Sequence, residues 1–144
     1  MSTATPFVRD PNDWLRRHSP SEWIRAALGE VGRAEEASRA RQARTFVTTA
    51  KRAAGMALNA ILLLEDKPGW GRSYVEHLTG LAGDASVPEA VRVAARTVLE
   101  SAPPSNGIVT LRTKSADERV LEACRDVVAH AFAVAVRHGA MPSP

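Results

Sequence analysis

Three Ser-x-x-Glu signatures, at Ser19 to Glu22, Ser86 to Glu89 and Ser115 to Glu118, each precede a run whose apolar residues recur every three or four positions. In such a signature the serine hydroxyl accepts from the backbone three residues on, while the glutamate reaches back to the serine N–H. The signature therefore marks a helix start. Pro20, suited to a first helical turn, reinforces the first of them. The predicted helices run over about 20–40, 42–65, 71–81, 88–100 and 116–138. Trp23, Ala27, Val31 and Ala34 form the inward stripe of the first, and Phe46, Ala50, Ala53, Ala57, Ala60 and Leu64 that of the second. Val91, Ala94, Ala95 and Val98 face inward on the fourth. Asp66-Lys67-Pro68-Gly69 breaks the chain after the second helix. Residues 108–113 are β-branched and alternate weakly, which suits a short extended stretch but not a sheet. There is no Gly-rich phosphate loop, no alternation of strand and helix, and no internal repeat. The fold class that follows is all-α, an up-and-down bundle of four to five helices over 19–138. An irregular arm (1–18) with Phe7 and Trp14 as anchors precedes it, and a tail (139–144) follows.

A chain of 144 residues makes one domain and can bury a core without cross-links. Cys124 is the single cysteine, which rules out an internal disulfide framework and a multi-cysteine metal site. It lies on an apolar stripe and reads as a buried structural thiol. The first ten residues lack a secretory pattern, and the longest apolar stretch, 55–64, is too short to span a bilayer. A soluble cytoplasmic protein with no membrane partner is expected. The formal net charge is +3, and three of the 19 basic residues are Lys, the rest Arg. That balance is compatible with a polyanionic partner without demanding one. Arg33, Arg39, Arg41, Arg44, Lys51 and Arg52, interspersed with Glu30, Glu35 and Glu36, read as a solvated face.

Two short runs carry the possible chemistry. Arg125-Asp126-Val127-Val128-Ala129-His130 lies on the last helix, and Arg72-Ser73-Tyr74-Val75-Glu76-His77 lies on the third. A guanidinium can hold a phosphate through two parallel hydrogen bonds, and an imidazole can move a proton near neutral pH. Arg125 and His130, with Asp126 orienting one of them, form the first candidate site. Arg72 and His77 form the alternative, where Glu76 favours a charged imidazole and Trp70 and Tyr74 offer rings for stacking bases.

The Arg125 run, late in a small helical chain that begins with a long helical hairpin, resembles the HEPN family (higher-eukaryote and prokaryote nucleotide-binding domains). The hallmark of that family is an Arg and a His four to six residues apart on a late helix. The resemblance implies a metal-independent endoribonuclease of a toxin or phage-defence type, with no cofactor. His130 would serve the 2′-hydroxyl or the leaving 5′-oxygen, and Arg125 would hold the scissile phosphate. It equally admits a non-catalytic module that binds a nucleotide, a nucleotidyltransferase or an antitoxin partner. Some family toxins carry a modifiable Tyr two places after the His; Phe132 stands there in this chain.

Helical geometry adds a constraint of its own. Residues five apart diverge by about 140° around the axis. Arg125 and His130 therefore flank the apolar stripe of Val120, Leu121, Cys124, Val127, Val128, Ala131, Val134 and Ala135 on opposite sides. One helix does not easily aim both at one phosphate: either the long arginine reaches across the gap, or a second copy of the helix supplies the missing group. The HEPN resemblance implies the second, a homodimer whose two motif helices line a shared cleft.

Overall fold

A computed structural model describes residues 7–102 and 114–141. Among these the chain is all-helical, with five α-helices and no strand: α1 (Pro20–Arg39), α2 (Ala43–Leu64), α3 (Tyr74–Ala82), α4 (Glu89–Glu100) and α5 (Lys114–Arg137). The all-α bundle expected from periodicity is the observed architecture. A single 3-10 turn, Pro68–Trp70, sits at the predicted break between α2 and α3. The stretch 108–113, expected to be extended, lies outside the described residues.

The helix starts follow capping chemistry, but not at every serine that the signature marked. At Ser19 the capping box is complete. Its hydroxyl accepts from the Glu22 N–H at 3.2 Å, and its own N–H donates to the Glu22 carboxylate at 2.9 Å. These bonds, with Arg9 at 2.5 Å, bring the Glu22 carboxyl down to about 2. Ser86, by contrast, turns its hydroxyl back to Asp84, and α4 begins behind Pro88 without a side-chain cap. Ser115 lies within the first turn of α5 instead of ahead of it. The cap of α3 is Ser73, whose side chain accepts from the Glu76 N–H at 3.1 Å.

Two helix ends share one geometry. After α5, Gly139 takes a left-handed conformation (φ 73°); its N–H bonds the Val136 carbonyl while the Ala140 N–H bonds that of Ala135. After α1 the same pair of bonds runs from Arg41 to Ser38 and from Gln42 to Ala37. Both ends are Schellman caps, in which a left-handed residue lets two orphan carbonyls find donors. At α1 that residue is Arg41 (φ 56°) rather than glycine.

The core is built from small side chains around a few large ones. Ala27 and Ala34 of α1, Ala50, Ala53, Ala54, Ala57 and Ala60 of α2, and Ala131 and Ala135 of α5 are all buried. Such residues let helix backbones approach closely. Trp23, Ile24, Leu58, Ile61, Leu78 and Leu81 fill the main core, and Phe46 fills a satellite cluster with Ala34, Val47, Ala50, Val120 and Leu121. Every residue expected on the α5 stripe is buried. Cys124 is sealed, its thiol donating to the Ala50 carbonyl at 3.4 Å, and burial pushes its pKa up to about 12. α5 packs on α1, α2 and α4. Ser38 ties α1 to α5 through Asp117 at 2.8 Å.

The arm is held against the bundle by specific contacts. Leu15 gives its carbonyl to the Trp23 indole N–H at 2.8 Å, and the Arg17 guanidinium lies 5.2 Å from the Trp23 ring centre. Trp14, an expected anchor, stacks on His77 at 5.9 Å.

The Arg41 conformation yields a stability prediction. A side chain in the left-handed region costs about 1–2 kcal/mol, against about 0.5–1 kcal/mol for the freer unfolded chain that glycine brings. Arg41→Gly is therefore expected to stabilise the fold by about 0.5–1 kcal/mol. The readout is a higher urea midpoint at unchanged slope; an unchanged or lower midpoint contradicts the strain.

Candidate functional site

α5 sends its two predicted site residues into different surroundings. Arg125 is exposed and pairs with Glu35 on α1. His130 lies on the far flank of the helix, half-buried in a cleft of about 280 Å³ between the ends of α2 and α5 and the loop before α4. Within one protomer the structure does not bring these two groups together, as the 140° divergence on an ideal helix requires. Asp126 is exposed and makes no hydrogen bond to either of them among the described residues.

The floor of the His130 cleft is apolar, with Ile61, Trp70, Val87, Pro88 and Val134 contributing. Its rim is a chain of alternating charge. Glu65, directly after α2, accepts from Arg137 Nη2 at 2.9 Å and from His138 Nε2 at 2.8 Å. Lys67 Nζ stands 3.8 Å from the other Glu65 oxygen and 2.8 Å from Asp84 Oδ2. Asp84 in turn accepts from the Ser86 hydroxyl at 2.6 Å and the Ser86 N–H at 3.0 Å. Burial acts to raise the Glu65 carboxyl, but the bonds from His138 and Arg137 outweigh it and hold it below the ordinary range. The Lys67 ammonium, followed by the Ser86 hydroxyl, brings Asp84 down to about 2.

His130 makes no hydrogen bond among the described residues. Burial, followed by the nearby positive charge of Arg137, lowers its pKa below the ordinary imidazole value. The ring is thus neutral at pH 7, with a nitrogen lone pair available to take a proton. Sequence reasoning passed over Glu65, Lys67, Asp84, Arg137 and His138. One signal was present: Arg137 is seven residues from His130, two turns along and nearly on the same face. His138 directly follows Arg137 at the end of α5, and Glu65, Lys67 and Asp84 come from chain breaks whose folding-back periodicity does not encode. Among the described residues no group of three or more His, Cys, Asp or Glu side chains converges to hold a metal ion, and no helix is long and apolar enough to cross a membrane. A second cleft, about 350 Å³, opens at the start of α1 and is lined by Phe7, Arg16 and Ser19. Its one imidazole, His138, is already engaged by Glu65.

The alternative run is structural in its surroundings. His77 is completely buried. Its Nδ1 lies 2.8 Å from the Trp70 carbonyl, an acceptor that requires a proton on that nitrogen. The Trp14 ring stacks over the imidazole, and the Tyr74 ring meets it edge-on at 6.3 Å. The expectation of a charged imidazole is corrected: burial lowers the His77 pKa, and neighbouring Glu76 does not offset it. The stacking role expected of Trp70 is corrected as well. The residue is 3% exposed, and its ring packs where Gly80 leaves room for it, with Lys67 over the ring at 5.4 Å. Arg72 lies over the Trp14 ring at 5.3 Å. A substrate has no route to His77.

A neutral buried imidazole makes stability depend on pH. The unfolded chain takes up a proton near 6.5, and the folded state resists it. The contribution is therefore intact above pH 6.5 and is lost as pH falls below it toward the depressed folded value. His130 acts in the same direction. The thermal midpoint of the wild type is expected to fall between pH 7 and 5, and that of His77→Gln to fall less steeply. Parallel profiles would contradict a neutral His77.

No protein-family model matches the chain, and neither the curated proteins nor the solved structures contain a match to it.

Proposed function

We propose that this chain is a HEPN-like, metal-independent endoribonuclease, of a toxin or phage-defence kind in the cytoplasm, with His130 as its proton-transfer group. The observation that carries this is the half-buried His130 imidazole, free of hydrogen bonds among the described residues, at a cleft rimmed by Arg137 and Lys67. A neutral imidazole there suits removal of the ribose 2′-hydroxyl proton. The 2′-oxygen then bonds to phosphorus, the bond to the 5′-oxygen breaks, and that oxygen takes up a proton. Charge growing on the phosphoryl oxygens needs a fixed cation nearby. In one protomer Arg137 and Lys67 are the cations beside His130. Arg125, the group that the family resemblance nominates together with Asp126, reaches a shared phosphate only from a second copy. The homodimer belongs to that version of the proposal.

A second reading has its own support. Lys67 and Arg137 already hold carboxylates, so the cleft also suits a module that binds a nucleotide or a nucleotidyltransferase or antitoxin partner without cutting.

The test is incubation with total RNA in excess EDTA. The wild type is expected to cut, and His130→Ala to lose about 10²-fold or more in rate. Arg137→Ala is expected to fall more than Arg125→Ala if the site is complete in one protomer. If two copies share it, mixing inactive Arg125→Ala with His130→Ala restores cutting. Undiminished cutting by His130→Ala rejects the site, and no cutting by wild type at any concentration favours the binding module.

A further inference from the structure

Resting on the reading of the His130 cleft as a phosphate-ester site, the geometry points to Glu65 as an internal stand-in for the ligand: its carboxylate occupies the subsite where Arg137, His138 and Lys67 converge, and the phosphate group of a nucleotide displaces it.

The donors around Glu65 are under-used. Three nitrogens from two parts of the chain surround one carboxylate: Arg137 Nη2 at 2.9 Å, His138 Nε2 at 2.8 Å and Lys67 Nζ at 3.8 Å. The first two share Oε2, which leaves Oε1 with Lys67 alone and beyond hydrogen-bond length. Among the described residues Arg137 makes one of the five hydrogen bonds its guanidinium can donate, and its side chain is 66% exposed. A phosphate group presents three terminal oxygens and up to about two negative charges. It can take a guanidinium through two parallel bonds and still accept from His138 and Lys67. A carboxylate offers two oxygens and one charge, so the exchange gains both donors used and charge matched.

Glu65 is free to leave. It follows the last residue of α2 in extended backbone, and its side-chain bonds among the described residues all go to these three groups. When it departs, Lys67 keeps Asp84 at 2.8 Å. The cleft behind it, about 280 Å³ with an apolar floor, matches one nucleotide rather than a folded nucleic acid. His130 lines the same cleft as Arg137 and so stands beside the phosphate that Arg137 would hold.

The test is calorimetric titration of the full chain with inorganic phosphate, uridine 3′-monophosphate and uridine. Glu65→Gln keeps the size of the side chain and removes its charge. It is expected to bind both phosphates about tenfold more tightly than wild type, with uridine unchanged. Arg137→Ala, added to Glu65→Gln, is expected to abolish the gain. Phosphate binding by Glu65→Gln that is equal to or weaker than that of wild type overturns the proposal. If circular dichroism finds Glu65→Gln unfolded, Arg137→Ala alone decides. A loss of about tenfold in phosphate affinity sustains the subsite, and unchanged affinity overturns it. RNA cleavage without the Glu65→Gln gain overturns the stand-in alone. The gain without RNA cleavage sustains the stand-in while the nuclease fails.

Discussion

Close approach of helix backbones is the constraint on which the rest of this structure depends. Alanine on the facing surfaces of α1, α2 and α5 lets three long helices lie together with little side chain between them. Small residues give up apolar area that leucine would bury, so each large side chain in the core counts for more. Phe46 closes one end of the α1–α2 hairpin, and Ile61 and Trp70 lie toward the other. A helix held this tightly has no freedom to rotate about its axis. The apolar stripe of α5 therefore dictates, with no further choice, that Arg125 looks toward α1 and His130 toward the end of α2. Function has to be built from whatever that rotation presents.

Trp70 shows how the arm and the cleft are coupled. The 3-10 turn carrying it is short and has no side-chain cap of its own. It is held from two sides, by the His77 ring on its carbonyl and by the gap at Gly80 that admits its indole. The indole then forms part of the floor under His130. Trp14, on the arm, covers His77 in turn. Ring stacking from Trp14 to His77, then the hydrogen bond from His77 to the Trp70 carbonyl, thus connects residues near the amino terminus to the cleft. Lys67, directly before the turn, is placed by the same fold-back. The residues that gather at the rim come from the position just after α2, two loops and the end of α5, and no single stretch of sequence contains them.

The chain declares its helices more readily than its site. Helical period and the Ser19 capping box place α1 almost to the residue, and the α5 stripe is buried as a set. The serine signature misled at Ser86, because Asp84 two residues earlier competes for its hydroxyl. The same signature at Ser73 to Glu76 does start a helix, inside the Arg72 run. The divergence of Arg125 and His130 was legible from rotation per residue alone. The burial of His77 was not. A histidine after Tyr-Val-Glu carries no mark of the tryptophan sixty-three positions earlier that covers it. The charges at Glu65, Lys67 and Asp84 were equally silent, since their meeting depends on how two breaks in the chain fold back.

Cys124 gives the molecule an unused reporter. Its sulfur sits in the seam between α5 and α2, bonded to a carbonyl and with its proton held far above neutral pH. An alkylating reagent meets a thiolate here only when the seam parts, because the closed form presents neither access nor the reactive ion. With one such atom per chain, the rate of labelling clocks the opening of the bundle itself. It does so in unmodified protein, without a dye or an added probe.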